Sequence, residues 1–157
     1  MNASPNPTQF QSLAKPNCSS LGFVGYQRAE LPLKLNGLAA ARAFFAGCVA
    51  ESDPARERLW VAHVDDKLEC LHLTHHDGDE AGVDFPLRSI VRDAAVHGSA
   101  GIVLAHNHPS GDPTPSEGDM RSTRRLACAA EAIDCQILDH LVFSGTRFTS
   151  FRELGLL

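Results

Sequence analysis

The sequence predicts an α/β layered domain, and three observations point there. Helix-like and strand-like stretches alternate along the chain. The run Gly101-Ile-Val-Leu-Ala105 is continuously apolar, the mark of a strand buried on both faces. The 157 residues are 43% hydrophobic, enough for a single core.

In chain order, residues 1–30 read as an irregular or disordered arm, with Pro5, Pro7 and Pro16 and no apolar periodicity. The domain proper is expected over 31–157. Leu38–Val49 is Ala-rich and reads as a helix with Asn36 available as its cap. After a polar break at 51–54, Leu59–Val64 and Leu68–Leu73 read as a hairpin around Asp65-Asp66-Lys67. His75–Gly82 reads as a polar loop and Val83–Phe85 as a short strand. Pro86 opens a helix, with Leu87, Ile90, Val91, Ala94 and Ala95 on one face and Arg88, Arg92 and Asp93 opposite. His97-Gly98 closes it, the glycine supplying a left-handed cap. A further helix is expected from Ser116 to about Ile133. A strand over Gln136–Phe143, a turn at Ser144-Gly145 and a short strand around Phe148 complete the fold.

Formal net charge is -5, from 14 basic and 19 acidic residues, which gives no support to a broad electrostatic grip on nucleic acid. Five cysteines, at 18, 48, 70, 128 and 135, form no C-x-x-C pair and no regular framework. A reduced protein with ordinary apolar cysteines is expected. No secretory leader is evident, and no apolar run approaches the ~20 residues needed to span a bilayer. The expected location is the cytoplasm, without membrane association.

The stretch that carries chemistry runs from His106 to Asp119, as HNHPSGDPTPSEGD. Two histidines two apart at a strand end point to the same side, with Cβ atoms roughly 7 Å apart. Imidazoles on that baseline can converge on one Zn²⁺. Asn107 faces away, and Pro109 ends the strand. The loop that follows, restricted by Gly111, Pro113 and Pro115, can turn back reproducibly. Ser116 then caps a helix that presents Asp119 toward the strand end as an oxygen ligand. Two His and one carboxylate leave a fourth tetrahedral position for water, the pattern of a catalytic site. Ser116-x-x-Asp119 is also an ordinary capping box, and the two roles are compatible.

H-x-H-x7-S-x2-D resembles the JAMM (MPN+) metalloprotease signature. The longer string, with Leu138-Asp139-His140-Leu-Val and Gly145, is similar to the RadC family of JAB-domain proteins. The likeness runs from about Glu57 to the C-terminus. It implies a JAB/MPN-like, cytidine-deaminase-like layered sandwich with a central mixed sheet flanked by helices. It further implies Zn²⁺ held by His106, His108 and Asp119, with Ser116 assisting the bound water or the oxyanion. The family's glutamate opens the first core strand, eight residues before a strand-ending Asp. Glu57, eight residues before Asp65, matches and is assigned as general acid/base. A solvated charge within Arg56-Glu57-Arg58 is its plainer reading.

The implied activity is metal-assisted hydrolysis of a peptide or isopeptide bond, so a peptide or protein substrate is expected. The alternative is a DNA-repair-associated accessory or binding module without peptidase activity. The N-terminal helical segment of many RadC-like proteins is not expected in a chain of this length, which weakens that alternative. A zinc deaminase would need H-x-E and P-C-x-x-C, and neither is present. His72, His75 and His76 read as surface residues rather than a second metal site. His63 reads as a packed or edge residue, and His97 as a helix-dipole partner. Asp139-His140 reads as a buried structural pair, with orientation of a metal ligand as the alternative. Arg121, Arg124 and Arg125 read as a solvated helix face.

Overall fold

In a computed structural model the described residues are 24–26, for backbone only, 33–78 and 85–157. The elements are β1 (Val24–Tyr26), α1 (Leu38–Ala50), β2 (Arg58–Val64), β3 (Cys70–Asp77), α2 (Leu87–His97), β4 (Gly101–Asn107), α3 (Glu117–Glu131), β5 (Gln136–Ser144) and β6 (Arg147–Ser150). Most of the expected irregular arm lies outside the described residues, but Val24–Tyr26 pair with β3 as a strand. The expected short strand at Val83–Phe85 falls mainly outside them too.

The strands form one mixed sheet in the order β1-β3-β2-β4-β5-β6, antiparallel throughout except for the parallel β4–β5 pair. Strand alternation divides its two faces. Trp60, Ala62, Val103 and Ala105 point to α1, packing on Phe44 and Phe45. Leu59, Val61, Ile102 and Leu104 point to α2 and α3, packing on Ile90, Leu126 and Ala130. All seven residues of β4 are buried, as its apolar run requires. The α/β layered class is therefore the observed one.

Two local readings are corrected. Asn36 does not cap α1: Gly37 holds that position, without a side-chain hydrogen bond. The second strand of the hairpin starts at Cys70, not Leu68, and runs on to Asp77, taking in the first three residues of the expected polar loop. The late start has a local cause. The Asp65 carboxylate accepts from Lys67 N and Glu69 N, and Leu68 takes a left-handed φ of 63° before the ladder begins. The extension follows from cross-strand pairing, with Trp60 opposite His75 and Leu59 opposite His76.

On α2, Pro86 is the N-cap and Gly98 closes the helix at φ 62°, a conformation that costs glycine little. Ile90 and Ala94 face the core as expected, whereas Ala95 is exposed and Asp93 buried.

Candidate metal centre

The site sits at the carboxyl end of β4, where the sheet edge meets the start of α3. His106 is the penultimate residue of β4 and 1% exposed. His108 lies just beyond the strand, its N–H donating to Phe143 O on the neighbouring β5. Its ring Nδ1 is 2.8 Å from the Asp112 carbonyl. A carbonyl only accepts, so Nδ1 carries a proton, and in the ring's neutral form Nε2 is the lone pair that faces inward.

The loop from Pro109 to Pro115 is stapled as well as stiff. Thr149 Oγ1 donates to Pro113 O at 2.6 Å, Ser144 Oγ to His108 O at 3.1 Å, and the Arg147 guanidinium to Gly111 O. Asp112 adds an internal clasp, accepting from the N–H and hydroxyl of Thr114, and these bonds lower its pKa. The loop thus delivers Ser116 to a fixed place, where α3 begins.

Ser116 and Asp119 form a reciprocal capping box. Ser116 Oγ accepts from Asp119 N at 3.0 Å, and Asp119 Oδ2 accepts from Ser116 N at 2.7 Å. The same Oδ2 is 3.4 Å from His106 Nε2 and 3.2 Å from His108 Nε2. The two Nε2 atoms are 2.9 Å apart. Burial opposes ionisation of Asp119, but its close contacts with His106 and His108 outweigh it and hold the carboxyl well below the usual carboxylate range. Contact with the Asp119 carboxylate likewise raises the His108 pKa.

Glu57 completes the group. Its Oε1 lies 4.0 Å from His106 Nε2. One ligand atom from each of Glu57, His106, His108 and Asp119 lies within 4.8 Å of all the others. Among the described residues this is the one gathering of three or more such groups that could hold a metal ion.

Asn107 does more than face away. Its Oδ1 accepts from Arg58 N at 2.9 Å and its Nδ2 donates to Arg56 O at 2.8 Å. One side chain thus clamps the backbone on both sides of Glu57, between the two histidines. Strand alternation tells where Asn107 points but not what it meets, because its partners lie 49 and 51 residues earlier.

Asp139 and His140 are both buried but do not pair through their side chains. The Asp139 carboxylate accepts from the N–H groups of His140 and Arg152 and from Ser150 Oγ, tying down the C-terminal turn. The His140 ring lies on the opposite face, its Nε2 2.7 Å from His106 Nδ1. Burial takes its pKa well below the ordinary histidine value.

The remaining histidines are not a surface set. His75 is buried at 6%, His72 and His76 are half-buried, and His63 is wholly buried. His72 stacks on the exposed His97 at 4.1 Å between ring centroids, and His63 lies 5.8 Å from His72. Arg121, Arg124 and Arg125 are exposed, Arg121 pairing loosely with Glu117. Cys48, Cys128 and Cys135 are free thiols. No described helix is long and apolar enough to cross a membrane.

A cleft of about 640 Å³ opens beside His108, walled by Arg42, Val49 and Pro54 and floored by Asn107, Pro109 and Phe143.

Residues 36–156 match the RadC-like JAB domain. The chain belongs to that family. The chain is 42% identical over 106 residues to a UPF0758 protein of Stenotrophomonas maltophilia, covering 66% of this chain and 44% of that one. It is 36% identical over 103 residues to the UPF0758 protein YfjY of Escherichia coli, covering 65% and 64%. A UPF0758 protein of Flavobacterium johnsoniae is 31% identical over 132 residues, covering 83% and 58%. The chain therefore spans about half the length of the relatives it matches. The chain thus has a JAB-type α/β fold with a possible metal-binding group of Glu57, His106, His108 and Asp119.

Proposed function

We propose that this RadC-like JAB domain is a zinc-dependent hydrolase of the JAMM type, cleaving a peptide or isopeptide bond. One observation carries the reading. Ligand atoms at zinc bond lengths of about 2.0–2.1 Å stand roughly 3.3 Å apart around a tetrahedron. The His106, His108 and Asp119 atoms are separated by 2.9, 3.2 and 3.4 Å. Two imidazole nitrogens and one carboxylate oxygen also suit zinc chemically.

A zinc ion bound there would act as a Lewis acid and lower the pKa of a bound water from 15.7 to about 7. The setback of Glu57, 4.0 Å from His106 Nε2, supports its reading as the group that takes a proton rather than a ligand. Its carboxylate accepts the proton of the attacking water and returns it to the leaving amine. Asn107 keeps that carboxylate over the site by holding Arg56 and Arg58. The Ser116 oxygen accepts from Asp119 N, so its hydroxyl proton stays free to donate toward a developing oxyanion. A DNA-repair accessory finds no support in the net charge of -5.

The test is a cleavage screen of peptides and isopeptide-linked conjugates with the zinc-loaded chain. Cleavage that stops with chelator and returns with zinc is expected. A loaded chain that cleaves none of them, whatever the bond type, would contradict the hydrolase reading.

A further inference from the structure

Thr123 and His140 belong to no part of the proposed chemistry, yet both are wholly buried behind His106. Thr123 is one helical turn beyond Asp119 on α3, and its Oγ1 donates to Asp119 O at 2.7 Å. That carbonyl can only accept, so the single hydroxyl proton is committed to it. The other neighbour of Oγ1 is His140 Nδ1, at 2.8 Å. With the hydroxyl proton spent, this contact is favourable only if His140 Nδ1 carries a proton and donates it.

The His140 ring stacks on Phe151 at 4.5 Å and meets Phe85 edge-on at 5.5 Å, an apolar slot where a second ring proton and its charge would be costly. His140 Nε2 is then a lone pair. It faces His106 Nδ1 at 2.7 Å, so His106 must donate from Nδ1. The neutral His106 ring is left with its lone pair on Nε2, the atom that faces His108 and Asp119.

We propose that Thr123 and His140 are positioning residues: a relay of three hydrogen bonds, from the α3 backbone through both side chains, sets the tautomer of His106 and so prepares it to bind metal. The relay rests on the metal-site reading above and adds the reason why His106 is ready for it. His108 reaches the same state by a shorter route, through the Asp112 carbonyl. Removing the Thr123 hydroxyl would free His140 to place its proton on Nε2. That proton would point at His106 Nδ1 and push the His106 proton onto the metal-facing nitrogen.

The test compares wild type, Thr123→Val and Thr123→Ser. Zinc affinity is measured by chelator competition, and the ring tautomer of metal-free His106 by ¹⁵N NMR at mildly alkaline pH. Thr123→Val, nearly isosteric, should weaken zinc binding about 10- to 100-fold and move the His106 proton from Nδ1 to Nε2. Thr123→Ser, which keeps the hydroxyl, should restore both. Wild-type affinity and tautomer in Thr123→Val would overturn the relay. So would a Thr123→Ser variant as impaired as Thr123→Val, which would assign the effect to packing. A wild-type chain that binds no zinc would sink the metal reading, while the metal-free tautomer would still decide the relay.

Discussion

Two places in this domain gather histidines, and they differ in what else is there. At the end of β4, His106 and His108 meet the carboxylates of Asp119 and Glu57, and both rings are held from behind by hydrogen bonds that Nδ1 donates. On the α2 side of the sheet, His72 stacks on His97, and the His63 ring lies tilted beside both. The acid nearest them, Asp93, is engaged by Arg92, and both ring nitrogens of His63 are buried without a hydrogen-bond partner. Burial brings His63 down to about 4, with His72 and His97 pushing the same way and Asp93 opposing. Imidazole density alone does not make a metal site. Convergent carboxylates and fixed tautomers separate the two clusters.

Each prediction strains one side of that contrast. The largest effect belongs to Glu57→Gln, which should keep its zinc and lose about 10²- to 10⁴-fold in hydrolysis. Equal turnover by variant and wild type would refute the assigned base. Asn107→Ala removes the clamp on the Glu57 backbone and should cost about 100-fold in turnover with zinc content unchanged. Unaltered turnover would mean that other contacts suffice to hold Glu57.

The α2-side cluster should report itself through stability. The unfolded chain protonates His63 near pH 6.5, the folded protein only near 4. Between those values folding excludes a proton, so stability is full above pH 6.5 and falls as the pH drops, by on the order of 3 kcal/mol. Urea unfolding at a series of pH values should show this slope in wild type and a flatter one in His63→Leu. An identical slope in both would place the proton elsewhere. The smallest contrast is between two serines. Ser116→Ala should cost about 1 kcal/mol by breaking the capping box. Ser99→Ala, at a buried hydroxyl without a hydrogen-bond partner, should change stability by less than about 0.5 kcal/mol or raise it. Equal losses in thermal or urea unfolding would remove the distinction.

The convergence of the candidate metal group is legible in the sequence because its determinants are local. Period-two alternation aims His106 and His108 together, and a loop of proline and glycine returns Asp119 to them within 13 residues. The layered fold was legible for a similar reason, since the apolar run of β4 marks the sheet centre. What the sequence hid is set by strand order. His140 reaches His106 across 34 residues, and Asn107 reaches the Glu57 backbone across about 50. Reading Asp139-His140 as one unit missed that adjacent strand residues face opposite sides of a sheet. The His-rich end of β3 looked like a loop because its polar residues mask the strand, which pairing with β1 and β2 maintains.

The central claim concerns which histidines bind metal, and metal analysis of two double variants tests it most directly. Wild type and His72→Ala/His97→Ala should each carry about one zinc per chain, removable by chelator, and His106→Ala/His108→Ala should carry none. Zinc retained after loss of His106 and His108, or lost with His72 and His97, would contradict the account.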